Sequence, residues 1–289
     1  MSDPQPLAKI YFRSPEEPVL PVPLPQAPEE RARARFSLAG KRAIVTGGAR
    51  GLGYTTSRAL LEHGLSGLCI FDRDLETGEA AASSLSATFP NTNITFKGVN
   101  VADEMMTTEA VESVVGELGG VEILLCCAGI VGVVDTLEMG MEQWNKIIEV
   151  NLTGSLVCAR AVAKSMISKS TLGSIVLIAS MSGHTINYPQ PQAAYNVSKA
   201  GVLHLTRHLA AEWAQHGIRV NSISPGYMDT VLNEGDHLIE ARRIWNERTP
   251  MGRMGKPEEL CGAVVLLASD AGSFMTGSDI RIDGGYTLL

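Results

Sequence analysis

Tyr195 and Lys199 are the side chains of this sequence best spaced to move a proton, standing four positions apart in Tyr195-Asn196-Val197-Ser198-Lys199. On a helix that spacing stacks both on one face. A phenol is a poor base at neutral pH, with an unperturbed pKa of about 10. A fixed ammonium one turn away favours the phenolate, and bringing the phenol near neutrality takes about 3–4 kcal/mol of differential stabilisation. Near neutrality a general acid or base works best. The same spacing also describes a half-buried tyrosine beside a solvated lysine, so the surroundings must decide.

A second stretch carries binding chemistry. Arg42-Ala43-Ile44-Val45, which reads as a short buried strand, leads into Thr46-Gly47-Gly48-Ala49-Arg50-Gly51-Leu52-Gly53, followed by an Ala/Leu-rich segment to about residue 62. A strand, a glycine turn and a helix N-terminus together make an anion site, in which backbone N–H groups and the helix dipole face a pyrophosphate. The glycines let the backbone approach the phosphates and let the helix pack on the strand. The next apolar run, 67–71, ends at Asp72. An acid about 20 residues past the glycines accepts from both ribose hydroxyls of NAD and repels a 2′-phosphate. Arg50 and Arg73 pull towards that phosphate. The expected cofactor is NAD, with NADP the alternative.

The elements that must hold these residues alternate along the chain. Strands are expected at 94–101, 121–126, 174–178, 219–224 and 279–282, and helices at 104–118, 141 to about 166, and 195 to about 215. Pro225-Gly226 breaks the chain, the polar stretch to Pro250 reads as a lid, and Pro257 opens another helix at its favoured first turn. This alternation predicts an α/β fold: one doubly wound (Rossmann) parallel sheet with helices on both faces and a cofactor at the C-terminal edge of the strands. A composition of 45% hydrophobic residues with 29 glycines suits buried parallel strands. Residues 1–36 carry eight prolines between Pro4 and Pro28 and are expected to be extended or disordered, with Arg31, Arg33 and Arg35 a solvated run. The catalytic domain is therefore placed at 37–289.

Composition also excludes partners. A formal net charge of −7 invites neither nucleic acid nor an anionic membrane. No apolar run reaches the ~20 residues that span a bilayer, and the N-terminus lacks the pattern of a signal peptide. The expected compartment is the cytoplasm. The five cysteines, Cys69, Cys126, Cys127, Cys158 and Cys261, all lie in apolar segments without metal-ligand spacing, and read as core side chains. Cys126 and Cys127 should point to opposite faces of a strand.

With those elements in place, the chain from about Ser37 to Leu289 resembles the short-chain dehydrogenase/reductase family. The motifs that carry the resemblance occur in order: Thr46-Gly47-x-x-x-Gly51-x-Gly53, Asp72, Ala128-Gly129, Asn151, Ser180, Tyr195-x-x-x-Lys199, and Pro225-Gly226 followed by Thr230. The resemblance implies that Tyr195 exchanges a proton with the substrate oxygen while Ser180 hydrogen-bonds it. Lys199 would bind the nicotinamide ribose and depress the tyrosine pKa, and Asn151 would hold a water linking Lys199 to solvent. The cofactor would lie along Gly47, Arg50, Gly51, Leu52, Gly53, Asp72, Asn100, Val101, Ala128 and Gly129. Pro225, Gly226, Met228 and Thr230 would fix its carboxamide end.

Three departures qualify this. Cys126-Cys127-Ala128-Gly129 stands where the family usually has Asn-Asn-Ala-Gly, and Asn100 replaces the acid near adenine. Ser180 precedes Tyr195 by fifteen positions, two more than usual, which makes Ser182 a rival. The loop from Ser180 to Gln192 is similar to that of a sugar-alcohol branch of the family, comprising arabinitol, mannitol, sorbose and xylulose enzymes. Ser182, His184, Asn187, Gln190 and Gln192 are its candidate substrate contacts, because unmet buried polar groups penalise an apolar ligand. The implied reaction is hydride transfer between a nicotinamide cofactor and a polyol/ketose pair such as D-arabinitol and D-ribulose. The alternatives are a biosynthetic ketoreductase acting on a less polar carbonyl and a non-catalytic binding module. Apolar positions Val157, Val162, Val202, Leu205 and Leu209 on the long helices predict a homo-oligomer, a tetramer or a dimer.

Overall fold

The computed structural model describes residues 9–16, 23, 25 and 27–289. Seven strands form one parallel sheet in the order β3-β2-β1-β4-β5-β6-β7. They are β1 (Arg42–Thr46), β2 (Gly67–Asp72), β3 (Asn93–Gly98), β4 (Ile123–Cys126), β5 (Gly173–Ile178), β6 (Ile218–Pro225) and β7 (Asp279–Ile282). The strand order reverses between β1 and β4, and the crevice beyond their C-terminal ends is where such sheets bind ligands.

The sheet is covered on both faces, as the alternation predicts. Strand residues of period two feed two separate cores. Ile44, Phe71, Leu124 and Leu177 pack with Val114, Val162, Val202 and Leu209. These come from α4 (Glu104–Leu118), α6 (Gly154–Ser168) and α7 (Ala193–Trp213). Val45, Ile70, Leu125 and Ile178 pack on the opposite face with Leu60, Leu85, Val264 and Leu267. Those belong to α2 (Gly51–Glu62), α3 (Leu75–Thr88) and α9 (Cys261–Ala268). Cys126 lies in the first core and Cys127 packs against the second, so the adjacent thiols do face opposite ways.

Four local features differ from the sequence reading. The leader is not extended throughout: α1 (Pro28–Phe36) is a helix, with Pro28 in its first turn, Glu29 and Glu30 beside it, and Arg33 and Arg35 in the last turn. Proline costs nothing there because the first N–H groups of a helix lack partners, and the charges complement the dipole. The expectation for residues 1–8, 17–22, 24 and 26 lies outside the described residues. The helix expected at 141–166 is two, α5 (Met141–Ile148) and α6, joined by a π-helical turn at Glu149–Thr153. Helix α3 adds an element, its start capped by Asp74, which accepts from the Thr77 N–H at 3.1 Å. The stretch read as a polar lid contains α8 (Ile239–Arg248), anchored by the buried Trp245.

Candidate active site

The glycine turn follows directly from β1. Gly47 has φ +63, and a Cβ there would lie 2.8 Å from the Cα and N of Ala128. At Gly53 a Cβ would come 2.1 Å from the Gly47 carbonyl oxygen. Gly51, the first residue of α2, has φ +54 with nothing within 4 Å. The turn is thus closed towards the protein and open at the helix N-terminus, a cradle that suits a pyrophosphate. Both Asp72 carboxylate oxygens are aimed by backbone: one accepts from the Ala49 N–H at 3.3 Å, the other from the Asp74 N–H at 3.2 Å. These residues fit the adenosine and phosphate portions of a nicotinamide dinucleotide.

The remaining expected cofactor residues divide. Ala128 and Gly129 follow β4, and a Cβ on Gly129 would lie 3.4 Å from Asn151 Oδ1 and 3.7 Å from Lys199 Nζ. Exposed Asn100 accepts from the Ala102 N–H at 3.3 Å. The side chains of Val101 and Met228 are buried in the cores, leaving their backbone to a ligand, while Leu52 is half-buried against one of them. Pro225 ends β6, and the Gly226 N–H donates to Ile282 O at 2.9 Å. Thr230 lies beyond, its carbonyl accepting from the Asn233 N–H at 2.8 Å.

Tyr195 stands in the first turn of α7, and Ser180, just past β5, is near enough to temper its phenol. Ser180 Oγ donates to Ser182 Oγ at 3.0 Å and accepts from the Ser182 N–H at 3.1 Å, so the two rival serines are held together. Burial pushes the Tyr195 phenol up, and Ser180 opposes this. Lys199 Nζ sits 5.7 Å from the Tyr195 ring centroid and donates to Ile178 O at 2.7 Å. Its own pKa is lowered to about 8 by burial. The shift of the phenol is thus upward, set first by burial, and the expected depression by Lys199 is not among its causes.

Asn151 is fully buried in the π-helical turn. Its amide oxygen accepts from the Ile130 N–H at 2.8 Å, and its NH₂ donates to Ile130 O at 2.9 Å and Ser198 Oγ at 3.0 Å. It ties the segment after β4 to α7, and such π turns recur at functional positions.

A family model described as enoyl-(acyl carrier protein) reductase matches residues 47–287. Over 271 residues the chain is 40% identical to the NADP-dependent mannitol dehydrogenase of Alternaria alternata, covering 93% of this chain and 100% of that one. The chain belongs to the short-chain dehydrogenase/reductase family. Members are NAD(P)-dependent oxidoreductases, as the motifs implied. This short-chain dehydrogenase/reductase is also 38% identical over 267 residues to the ribulose-forming D-arabinitol 2-dehydrogenase of Candida tropicalis, covering 87% of this chain and 94% of that one. A crystal structure of a short-chain type dehydrogenase/reductase from Mycobacterium marinum matches it with TM-score 0.84 and 40% identity, over 88% of this chain and 98% of that one. Its relatives are thus similar to the sugar-alcohol branch.

In this short-chain dehydrogenase/reductase the expected substrate contacts are not equivalent. Asn187 is buried, and its NH₂ donates to the Tyr227 hydroxyl at 3.0 Å. Gln192 is buried just before α7, and Gln190 lies half-buried between two prolines. His184 is turned to the sheet edge: Nε2 lies 2.9 Å from Asp279 Oδ2 and 3.2 Å from Ser224 Oγ. Asp279 also accepts from Ser222 and Ser224. That histidine anchors the loop to β7, a partnership ninety-five residues away that loop composition could not reveal. Sequence reasoning missed two aromatic residues, Trp245 and Tyr286, that pack around the partner of Asn187. Tyr227 stacks on Trp245 at 4.1 Å and meets Tyr286 edge-on at 5.5 Å. Only the position of Tyr227, next to Pro225-Gly226, offered a signal.

Proposed function

We propose that this enzyme interconverts a sugar alcohol and its ketose, D-arabinitol and D-ribulose being the expected pair, with NAD preferred over NADP. The observation that carries the reading is the convergence at the C-terminal end of β5 of Tyr195, with the Lys199 ammonium 5.7 Å from its ring, buried Asn151 and Ser180. Tyr195 passes a proton to or from the substrate oxygen, and Ser180 holds that oxygen. Lys199 orients the nicotinamide ribose, and Asn151 keeps the segment around Gly129 and Ile130 pinned to α7. Bound dinucleotide supplies or accepts the hydride; the protein contributes orientation and proton transfer. The names of the Alternaria and Candida relatives, mannitol and D-arabinitol dehydrogenases, support a polyol substrate. NAD is favoured by the backbone-held Asp72 carboxylate. Arg50 and Arg73, which could counter it, lie close enough to Asp74 to help hold that carboxyl below the usual range, after its hydrogen bonds from Thr77. The Alternaria relative is named as NADP-dependent, so the ratio is a direct test.

A less polar ketone is the second reading, favoured by the exposed Val231 and Ile239 in the stretch before Pro250. The cytoplasm is the proposed compartment. The deciding experiment follows absorbance at 340 nm with polyols and ketoses, each offered NAD(H) and NADP(H), for wild type and Tyr195→Phe. Wild type should turn over a polyol/ketose pair faster with NAD(H). Tyr195→Phe should lose ~10²–10⁴-fold in turnover, the share general acid–base catalysis supplies, while still binding cofactor. Near-normal turnover by the variant, or activity confined to apolar ketones, would overturn the reading.

A further inference from the structure

The aromatic cluster beyond the C-terminal end of β6 holds polar atoms that the fold leaves unmet. Asn187 Oδ1, Tyr286 Oη and Trp245 Nε1 are each buried without a hydrogen-bond partner among the described residues. Their residues are 7%, 4% and 1% exposed, so ordinary solvation does not relieve them. Buried polar groups are nearly always paired, and leaving one unpaired costs more than an average hydrogen bond returns. One orphan would be unremarkable, but these three surround a single ring. Tyr227 accepts from the Asn187 amide at 3.0 Å, stacks on Trp245 with an interplanar angle of 11°, and meets Tyr286 at 80°.

The cluster lies at the same C-terminal end of the sheet as Ser180. Asn187 belongs to the loop that joins those two residues. Tyr227 follows Gly226 at the end of β6, the strand paired with β5. Tyr286 follows β7, the strand paired in parallel with β6, so it lies beyond the same end of the sheet as Tyr227 and Ser180.

We infer that Asn187, Tyr227 and Tyr286 form a polar subsite that reads a substrate hydroxyl other than the one being oxidised, Asn187 Oδ1 accepting from it and Tyr286 completing the pair. The inference rests on the polyol reading above. Tyr227 is here a positioning residue: its hydroxyl fixes the amide so that the carbonyl oxygen, rather than the NH₂, is left for the ligand. A site built this way penalises a ligand lacking the hydroxyl, because the orphaned groups then stay unmet.

The test compares reduction of D-ribulose with that of 2-pentanone, five-carbon ketones differing in hydroxyls, in wild type, Tyr286→Phe and Tyr227→Phe. Tyr286→Phe removes an oxygen that has no partner, so the melting temperature should hold, which a purely structural tyrosine hydroxyl would not allow. Its kcat/KM for D-ribulose should fall about 10-fold or more relative to 2-pentanone. Tyr227→Phe should lower the same ratio, and either variant doing so while folded supports the subsite. If wild type prefers D-ribulose and both variants keep that preference, the subsite is overturned while the polyol reading stands. If wild type shows no preference for D-ribulose, both fall together.

Discussion

Lys199 shows how one residue is set by what surrounds it. Its ammonium is buried with a single carbonyl acceptor, Ile178 O. The nearby thiols offer it no counter-charge: burial pushes Cys127 up to about 12, and a hydrogen bond with Cys158 together with burial raises Cys126. Lys199 therefore titrates near 8 instead of the ordinary 10.5. The linkage sign follows. Below pH 8 both folded and unfolded chains carry the proton, and the cost of the buried charge is felt in full. Between pH 8 and 10 the unfolded chain holds a proton that the folded chain has released, so stability rises with pH. Tyr195, shifted upward from 10, contributes only above that window. The cofactor-free wild type should gain on the order of 2–3 kcal/mol relative to Lys199→Met between pH 8 and 10. Urea unfolding at several pH values checks this, and parallel profiles for the two proteins would refute it.

At the scale of elements, the junction of β1 and α2 separates two uses of glycine. Gly47 needs both its left-handed backbone and its missing Cβ, since the space is filled by Ala128 backbone. Gly51 needs only the backbone, and its open side faces the proposed phosphate position. A left-handed conformation costs an L-residue about 1–2 kcal/mol. Gly47→Ala should therefore lower the melting temperature and cofactor affinity together, because the clash pushes β1 from the segment after β4. Gly51→Ala should melt within a few degrees of wild type yet bind NADH ~10-fold or more weakly, as a methyl enters the cradle. Thermal melting paired with fluorescence titration distinguishes them. Equal cofactor affinity for Gly51→Ala and wild type would show that the cradle holds something else.

For the whole molecule, the face formed by α6 and α7 opposite the sheet is incompletely covered. An open groove of about 470 Å³ runs between them, lined by Leu156, Ala163, Ile167, Leu205, Leu209 and Trp213 and rimmed by charged residues. An apolar centre with a charged rim has the anatomy of a protein interface, and self-association of two-fold symmetric copies is the commonest way to cover such a face. Wild type is expected to be a dimer or tetramer at micromolar concentration, and Leu205→Glu should shift it to a smaller species. Light scattering reads both masses; a monomeric wild type would end the proposal. Among the described residues no helix is long and apolar enough to cross a membrane.

What the sequence determined by itself was whatever is encoded within one element and its flanks. The β1–glycine–α2 unit, Asp72 at the end of β2, Ser180 off β5 and the Tyr195/Lys199 spacing were all legible, because periodicity, turn chemistry and family motifs are local signals. Helix α1 was missed by weighing proline content over position: Pro28 sits at the one turn where proline helps a helix. What only the tertiary structure decided depends on contacts between distant segments. His184 leaves the substrate loop for Asp279, and Asn187 acquires Tyr227, Trp245 and Tyr286 as surroundings from three later segments. The direction of the Tyr195 and Lys199 shifts belongs to the same class. Spacing sets how near two groups can come, but the balance between their attraction and the loss of water is settled only when the rest of the chain closes over them.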